Sequence, residues 1–181
     1  MTRTTTLNDV DLDAVAQLTD TIRSDSEVGH TTWASTSSWK GGFRTESSSR
    51  SLPAIPSDEP PALGGTDTAS NPVEQLLGAL GNCLAVGYAA SATAAGIELD
   101  ELRIEVEGDL DLHTFLGLRP GHAGFSKIEA TVHIRARDPE VDLGPIHDHV
   151  VSTSPVGHTL AHPVPVEISY ERAIDPDGEH A

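Results

Sequence analysis

The sequence contains a single cysteine, Cys83, among 181 residues. One cysteine cannot form a disulfide within the chain, and this favours a reducing compartment, so we expect the protein in the cytoplasm. The sequence has no run of 18 or more apolar residues, and it therefore predicts no membrane span. Residues 1–15 also lack the apolar stretch of a secretory signal.

Basic residues are scarce: 11 Lys and Arg stand against 28 Asp and Glu, for a formal net charge of −17. Binding to duplex nucleic acid depends on Lys and Arg side chains that neutralise phosphates, and anionic membranes attract the same cationic groups. We therefore expect neither nucleic acid nor membrane among the partners. The acidic residues are interpreted as a solvated surface.

The chain is long enough for one domain, and its patterning indicates a mixed fold. Apolar residues at helical spacing predict a surface helix over 10–22. Two Ser- and Thr-rich stretches, 31–39 and 43–50, flank Gly41 and Gly42 and predict a β-hairpin. Residues 51–71 hold several prolines and a Gly-Gly pair, so this segment is predicted to be an irregular loop.

The strongest helix signal covers residues 72–95. Asn71 is a favourable N-cap, Pro72 suits the first helical position, and Gly96 ends the helix. The helix carries an apolar stripe that includes Cys83, and its opposite side consists of small residues rather than charged ones. This pattern predicts a helix buried nearly all round.

The second half of the chain alternates strands and helices. The sequence predicts strands over 101–112, 126–137 and 164–170, with a helix over 142–151 that Ser154 and Pro155 interrupt. Strands cluster before and after the apolar helix. The predicted fold class is therefore α+β rather than an array of βαβ units.

Three segments carry a resemblance to a known family. Residues 71–83, Asn-Pro-Val-Glu-Gln-Leu-Leu-Gly-Ala-Leu-Gly-Asn-Cys, resemble the central helix of the OsmC/Ohr family. Residues 154–160, Ser-Pro-Val-Gly-His-Thr-Leu, resemble its Cys-Pro-Val turn and short helix, which precede a closing strand. Residues 58–65 resemble the segment before the helix in the divergent OsmC-like branch.

The resemblance covers residues 31–172 and implies an OsmC-like fold, in which antiparallel sheets wrap around long central helices in an intertwined homodimer. We therefore divide the chain into an N-terminal helical extension (1–29), an OsmC-like domain (30–174) and an acidic C-terminal tail (175–181). A buried dimer interface would also explain a helix too apolar for the surface of a single chain.

The resemblance further implies a stress-response function, the reduction of organic hydroperoxides by a cysteine thiolate. Cys83 matches the peroxidatic cysteine. The position of the resolving cysteine is occupied by Ser154, so the sequence departs from the two-cysteine cycle. A sulfenic acid on Cys83 would then need an external thiol as reductant, and no cofactor or metal is implied.

Two further catalytic groups of the family, a glutamate and an arginine, have no match at their expected positions in this sequence, and the candidates for them lie nearby. The family's glutamate lies ten residues before the cysteine, at Val73, whereas Glu74 lies nine before it. Nine residues turn a helix by about 180°, so Glu74 is expected to face away from Cys83. Its negative charge in the first turn is equally explained by a favourable interaction with the helix dipole. The segment that should carry the family's arginine has none; Arg44 is the candidate, with Arg50 beside it.

Other interpretations remain open from the residues alone. Cys83 can be a packed apolar side chain rather than a nucleophile. The protein can then be a non-catalytic dimeric module that binds a small apolar ligand in an interface pocket lined by aromatic residues. A histidine-based metal site is disfavoured, because His158 and His162 share one helical face without a glutamate that would complete a zinc motif.

Overall fold

The computed structural model describes residues 6–172 of the chain. Its first helix, α1 (Leu12–Ser24), begins at Asp11, whose carboxylate accepts hydrogen bonds from the N–H groups of Asp13 and Ala14. Short 3₁₀ turns precede and follow the helix. The predicted N-terminal helix is confirmed, and it is displaced by two residues. The predicted acidic tail (175–181) lies outside the described residues.

A small antiparallel sheet follows, made of β1 (Thr36–Trp39), β2 (Thr45–Ser48) and β3 (Ile55–Ser57). The turn between β1 and β2 contains Gly41 and Gly42, whose φ angles of 93° and 61° favour glycine. The predicted hairpin is confirmed with shorter strands.

The prediction of an irregular loop over 51–71 is wrong in two places. Strand β3 lies within it, and residues Pro61–Leu63 form a 3₁₀ turn. Pro56 is tolerated in β3 because this strand is at the edge of the sheet, where a missing N–H need not disturb the ladder. At Gly65, an added Cβ would lie 1.8 Å from the carbonyl oxygen of Glu59, so the close approach requires glycine.

Helix α2 (Pro72–Ala94) is the central element. It begins with a capping box: Asn71 Oδ1 accepts from the Glu74 N–H at 2.9 Å, and Glu74 Oε2 accepts from the Asn71 N–H at 2.9 Å. Gly96, at a φ of 71°, follows the C-terminal end as predicted.

The second half of the chain packs on α2. A long antiparallel hairpin, β4 (Leu99–Leu110) and β5 (Phe125–Ala136), covers one side of the helix. The short helix α3 (Leu112–Phe115) belongs to the segment of chain that connects these two strands. Helices α4 (Gly144–Thr153) and α5 (Pro155–Ala161) cover another side. This arrangement confirms the α+β class.

The core is centred on the contact between α2 and α4, with apolar residues of β4 and β5 packed against it. Its buried members are Leu80, Leu84, Tyr88, Ala92, Ile146 and Val150. The prediction that α2 is buried nearly all round is wrong for the single chain. One face remains open to solvent, and Val86 on this face is 70% exposed.

Residues 163–172 form no regular secondary structure, so the prediction of a strand over 164–170 is wrong for the single chain. No strand of the described residues pairs with this segment. Its apolar side chains are consequently exposed, namely those of Val164, Val166, Ile168 and Tyr170.

Helix α2 is long and apolar enough to cross a bilayer by length and composition alone. The central helices of many globular proteins share these properties. Here the helix packs against β4, α4 and α5, as a core helix does.

Candidate functional site

Ser154 forms the corner between α4 and α5. Its backbone lies in the extended region, as expected for a residue before proline, and its N–H donates to the carbonyl of Val150. Its hydroxyl oxygen accepts from the N–H of Gly157 at 3.1 Å and so caps α5. The residue is 5% exposed. One residue thus ends one helix through its backbone and begins the next through its side chain.

Cys83 faces this corner from α2. Its sulfur lies 3.3 Å from the hydroxyl oxygen of Ser154, within hydrogen-bond distance. The two residues are 71 positions apart in the sequence, so only the packing of α5 against α2 brings them together. The sequence identified both positions through the family resemblance, and the structure places them in direct contact.

The sulfur is half-buried and borders a surface pocket of about 400 Å³. The pocket lies between α2 and the α4–α5 corner, and its walls are mainly apolar. Its lining comprises Asn82, Cys83, Val86, Gly87, Val150, Thr153, Ser154 and Pro155. Cys83 is therefore part of a mainly apolar opening on the protein surface.

Glu74 is not part of this pocket. Its carboxylate is engaged in the capping box with Asn71, and the residue borders a different groove, between α2 and β4. Gly81 and Val106 line that groove as well. The catalytic role suggested for Glu74 therefore finds no contact with Cys83 in the single chain, and helix capping explains its position.

Arg44 is likewise absent from the lining of the Cys83 pocket. It lies in the turn between β1 and β2, where its Nε donates to the carbonyl of Gly41 at 3.4 Å. The residue is exposed, and the small sheet that carries it makes few contacts with α2. Its suggested catalytic role stays a prediction that would require another chain.

A buried carboxylate, missed by the sequence analysis, shapes the loop that leads into α2. Asp58 is 1% exposed, and it accepts hydrogen bonds from the backbone and side-chain donors of Thr66 and Thr68 and from the Glu59 N–H. These donors, led by the Thr66 hydroxyl, hold the pKa of Asp58 well below its usual range. The Asp-Glu-Pro-Pro run gave no signal that distinguished this acid from its surface neighbours.

A second buried polar pair joins α2 to α4. The hydroxyl of Tyr88, a residue 2% exposed, lies 2.6 Å from Nδ1 of His147. Burial raises the pKa of Tyr88, so the phenol stays neutral. The other histidines of this region are placed otherwise: His158 and His162 stack ring on ring at 5.2 Å. Among residues 6–172, no three or more His, Cys, Asp or Glu side chains are placed to hold a metal ion.

Comparison with known families decides the classification. The sequence model of the family described as OsmC-like protein matches residues 65–169, more than half of the chain. The chain belongs to the OsmC-like protein family. The match includes α2 with Cys83, the β4–β5 hairpin and the corner at Ser154. A search of curated proteins found no match for this OsmC-like chain.

Solved structures share the OsmC-like fold at low sequence identity. The OsmC-like protein from Mycoplasma pneumoniae superposes with a TM-score of 0.60 at 20% identity, over 72% of this chain and 88% of that one. A putative osmotic stress induced and detoxification response protein from Psychrobacter arcticus 273-4 gives 0.59 at 19%, over 74% and 91%.

A third relative was solved with a ligand. A putative organic hydroperoxide resistance protein from Vibrio cholerae O1 biovar eltor, with captopril bound in one of its active sites, gives a TM-score of 0.54 at 17% identity. The likeness covers 72% of this chain and 86% of that chain. These structures confirm the OsmC-like fold of the chain predicted from the three sequence segments, whereas the predicted dimer stays a prediction.

Proposed function

We propose that this OsmC-like protein is a stress-response enzyme that reduces small organic hydroperoxides through Cys83 alone, with an external thiol as reductant. The observation that carries the proposal is the position of the sulfur. It lies at the edge of an apolar pocket of about 400 Å³ and in contact with a buried hydroxyl. A lone cysteine that only filled space would need neither an open pocket nor a polar neighbour.

The proposed cycle balances with one cysteine. The thiolate attacks the terminal oxygen of a hydroperoxide, the O–O bond breaks, and the alkoxide leaves as an alcohol after taking a proton. Cys83 is oxidised to a sulfenic acid. A first external thiol condenses with it, releases water and forms a mixed disulfide; a second thiol then restores Cys83 and leaves as a disulfide.

Ser154 is proposed to act on the sulfur rather than as a second redox centre. Its oxygen already accepts from the Gly157 N–H, which leaves its own hydrogen able to point at Cys83 Sγ. This hydrogen bond would hold the sulfur at the edge of the pocket, where a hydroperoxide arrives. The same hydroxyl can hydrogen-bond to the oxygen of a sulfenic acid.

Activity assays with substituted protein test the enzyme proposal. Cys83→Ser should abolish thiol-dependent turnover of cumene hydroperoxide. Ser154→Ala should slow the oxidation of Cys83 about tenfold, because a hydrogen bond to a charged group is worth about 1.5 kcal/mol. Ser154→Thr, which keeps a hydroxyl and a helix cap, is the matched control. Turnover that survives in Cys83→Ser would refute the proposal.

We propose further that the protein is an intertwined homodimer, working in the cytoplasm where low-molecular-weight thiols can supply the reductant. Three exposed apolar surfaces support a second copy as partner: the open face of α2, the β1–β3 sheet, and residues 163–172. Large exposed apolar side chains mark each of them, among them Val86, Trp39 and Ile168. Light scattering should give twice the chain mass of 19.1 kDa.

As a second candidate function, the protein is a dimeric module that binds a small apolar ligand without turnover. It is favoured by the fact that neither Glu74 nor Arg44 contacts Cys83 within the chain. In that case apolar compounds should raise the melting temperature of the Cys83→Ser variant as much as that of the unsubstituted protein. A protein that turns over hydroperoxides, or that shows no thermal shift with any such compound, would exclude this second function.

A further inference from the structure

Helix α1 carries an apolar face that the chain itself leaves largely uncovered. Val15 and Leu18 are each more than half exposed, and Ile22, which lies beside Gly29, is 37% exposed. The opposite side of the helix is polar and carries Asp13 and Asp20. Such an amphipathic helix gains stability only when another surface buries its apolar side.

The segment before α1 is fixed to the body of the protein rather than loosely attached. Asn8 adopts a left-handed conformation with a φ of 53°. Its Nδ2 donates to Thr93 Oγ1 at 3.0 Å and to the carbonyl of Ile97 at 2.9 Å, and its Oδ1 accepts from the Leu99 N–H at 2.9 Å. These three bonds set the start of α1 beside the C-terminal end of α2.

The apolar face of α1 continues the open face of α2. Leu12 and Val15 line a cleft of about 480 Å³ together with Ala90 and Ala94 of α2. Ala90 lies one helical turn after Val86, which lines the pocket of Cys83. A mainly apolar strip therefore runs from the thiol pocket along α2 to α1, with Ser91 and His149 as the polar members of the cleft.

We propose that α1 is an interface element of the homodimer and that its apolar face packs against a second copy of this chain. The inference rests on the proposed dimer. A partner that covers the open face of α2 as far as Ala90 meets the adjoining face of α1, because Leu12 and Val15 line the same cleft as Ala90. Asp13 and Asp20 then remain in solvent, as a chain with a net charge of −17 requires.

Dissociation measurements with the full-length protein test the inference. The double variant Leu18→Glu with Ile22→Glu should dissociate at a protein concentration at least about tenfold higher than the unsubstituted dimer. Glutamate keeps good helix propensity, so the change affects the apolar face rather than the helix. Gln17→Glu, which adds one negative charge to the polar side, should leave the dissociation constant unchanged.

A cross-linking experiment gives an answer that does not depend on the folding of the double variant. A benzophenone probe is attached to a cysteine introduced by Leu18→Cys or by Gln17→Cys, each combined with Cys83→Ser. Irradiation should produce covalent dimers from the probe at 18 and far fewer from the probe at 17. Equal yields at both positions would overturn the inference.

The outcomes separate this inference from the dimer on which it rests. A monomer at every concentration of the unsubstituted protein would overturn both. A stable dimer whose dissociation constant is unaffected by the glutamates, and which does not cross-link from position 18, would overturn only the role of α1.

Discussion

The contact between Cys83 and Ser154 predicts that a disulfide can be built by one substitution, Ser154→Cys. The sulfur and the hydroxyl oxygen are 3.3 Å apart, about 1.3 Å more than the length of a disulfide bond of about 2.05 Å. A small rotation of the two side chains, one on α2 and one at a helix corner, can close this gap. Mild oxidation should therefore link the two cysteines within one chain.

The size of the effect follows from the separation of 71 residues between the two positions. For a loop of this length the chain-entropy relation gives about 4 kcal/mol of stabilisation for the oxidised over the reduced form. In a protein of this size 1 kcal/mol shifts the melting temperature by about 2–4 °C, so the oxidised variant should melt about 10 °C above its reduced form. The reduced variant should melt slightly below the unsubstituted protein, because cysteine is a poorer helix cap than serine.

Thiol titration, mass spectrometry and melting with and without reductant measure the result. Oxidised Ser154→Cys should contain no free thiol, should have lost two hydrogens and should remain unlinked to other chains. Cys83→Ser with Ser154→Cys, which has one cysteine, is the control and should keep its thiol. If Ser154→Cys retains two free thiols after oxidation, the sulfur does not face the helix corner and the proposed role of Ser154 fails with it.

Three further predictions concern stability. Tyr88→Phe removes the hydroxyl that contacts His147 and should cost about 1 kcal/mol, seen in a thermal melt as a decrease of about 2–4 °C; an unchanged melt would show that the pair contributes nothing. Asp58→Asn should lower the melting temperature at neutral pH. Because the pKa of Asp58 is depressed in the folded state, its carboxylate contributes stability above the unfolded pKa of about 4, and this contribution is lost as the pH falls further. The difference in melting temperature between Asp58→Asn and the unsubstituted protein should therefore narrow in acid. A difference that is constant with pH would contradict this prediction. Raising KCl from about 0.05 to 1 M should increase the melting temperature by screening a net charge of −17, and a decrease would argue against self-repulsion.

The elements with strong local signals could be predicted from the sequence. Asn71, Pro72 and Gly96 set the ends of α2 through capping and φ preferences that act within a few residues, and the structure agrees with these ends. The alternation of apolar residues likewise located β4 and β5 to within two residues. Local chemistry decides these features, so no knowledge of distant contacts was needed.

The features that the sequence could not reveal depend on what lies opposite a residue. The apolar stripe of α2 predicted burial, but periodicity does not say whether the covering surface comes from the same chain or from another. Residues 164–170 have the pattern of a strand yet lack a neighbour to pair with. Asp58 is buried because Thr66 and Thr68 turn their donors towards it, which depends on the path of a loop.

The site shows the same division. The resemblance selected Cys83 and Ser154, and the structure brings them into contact across 71 residues. It also suggested Glu74 and Arg44, whose contacts in the chain are a helix cap and a hairpin turn. The spacing of residues along one helix predicts only the direction in which a side chain points. Whether Glu74 or Arg44 reaches the thiol depends on how the elements of this chain, and those of a partner chain, pack together.

The amide of Gly157 offers a natural spectroscopic probe of the thiol. The Gly157 N–H donates to the hydroxyl oxygen of Ser154, and the same oxygen contacts Cys83 Sγ. Only this oxygen therefore separates the Gly157 N–H from the sulfur. Oxygen or alkyl groups added to Cys83 change the electron density and orientation of the Ser154 hydroxyl, and with them the magnetic environment of this one N–H. In an ¹⁵N-labelled sample, the chemical shift of Gly157 can therefore follow the redox state of the cysteine in real time, without a label at the reactive centre.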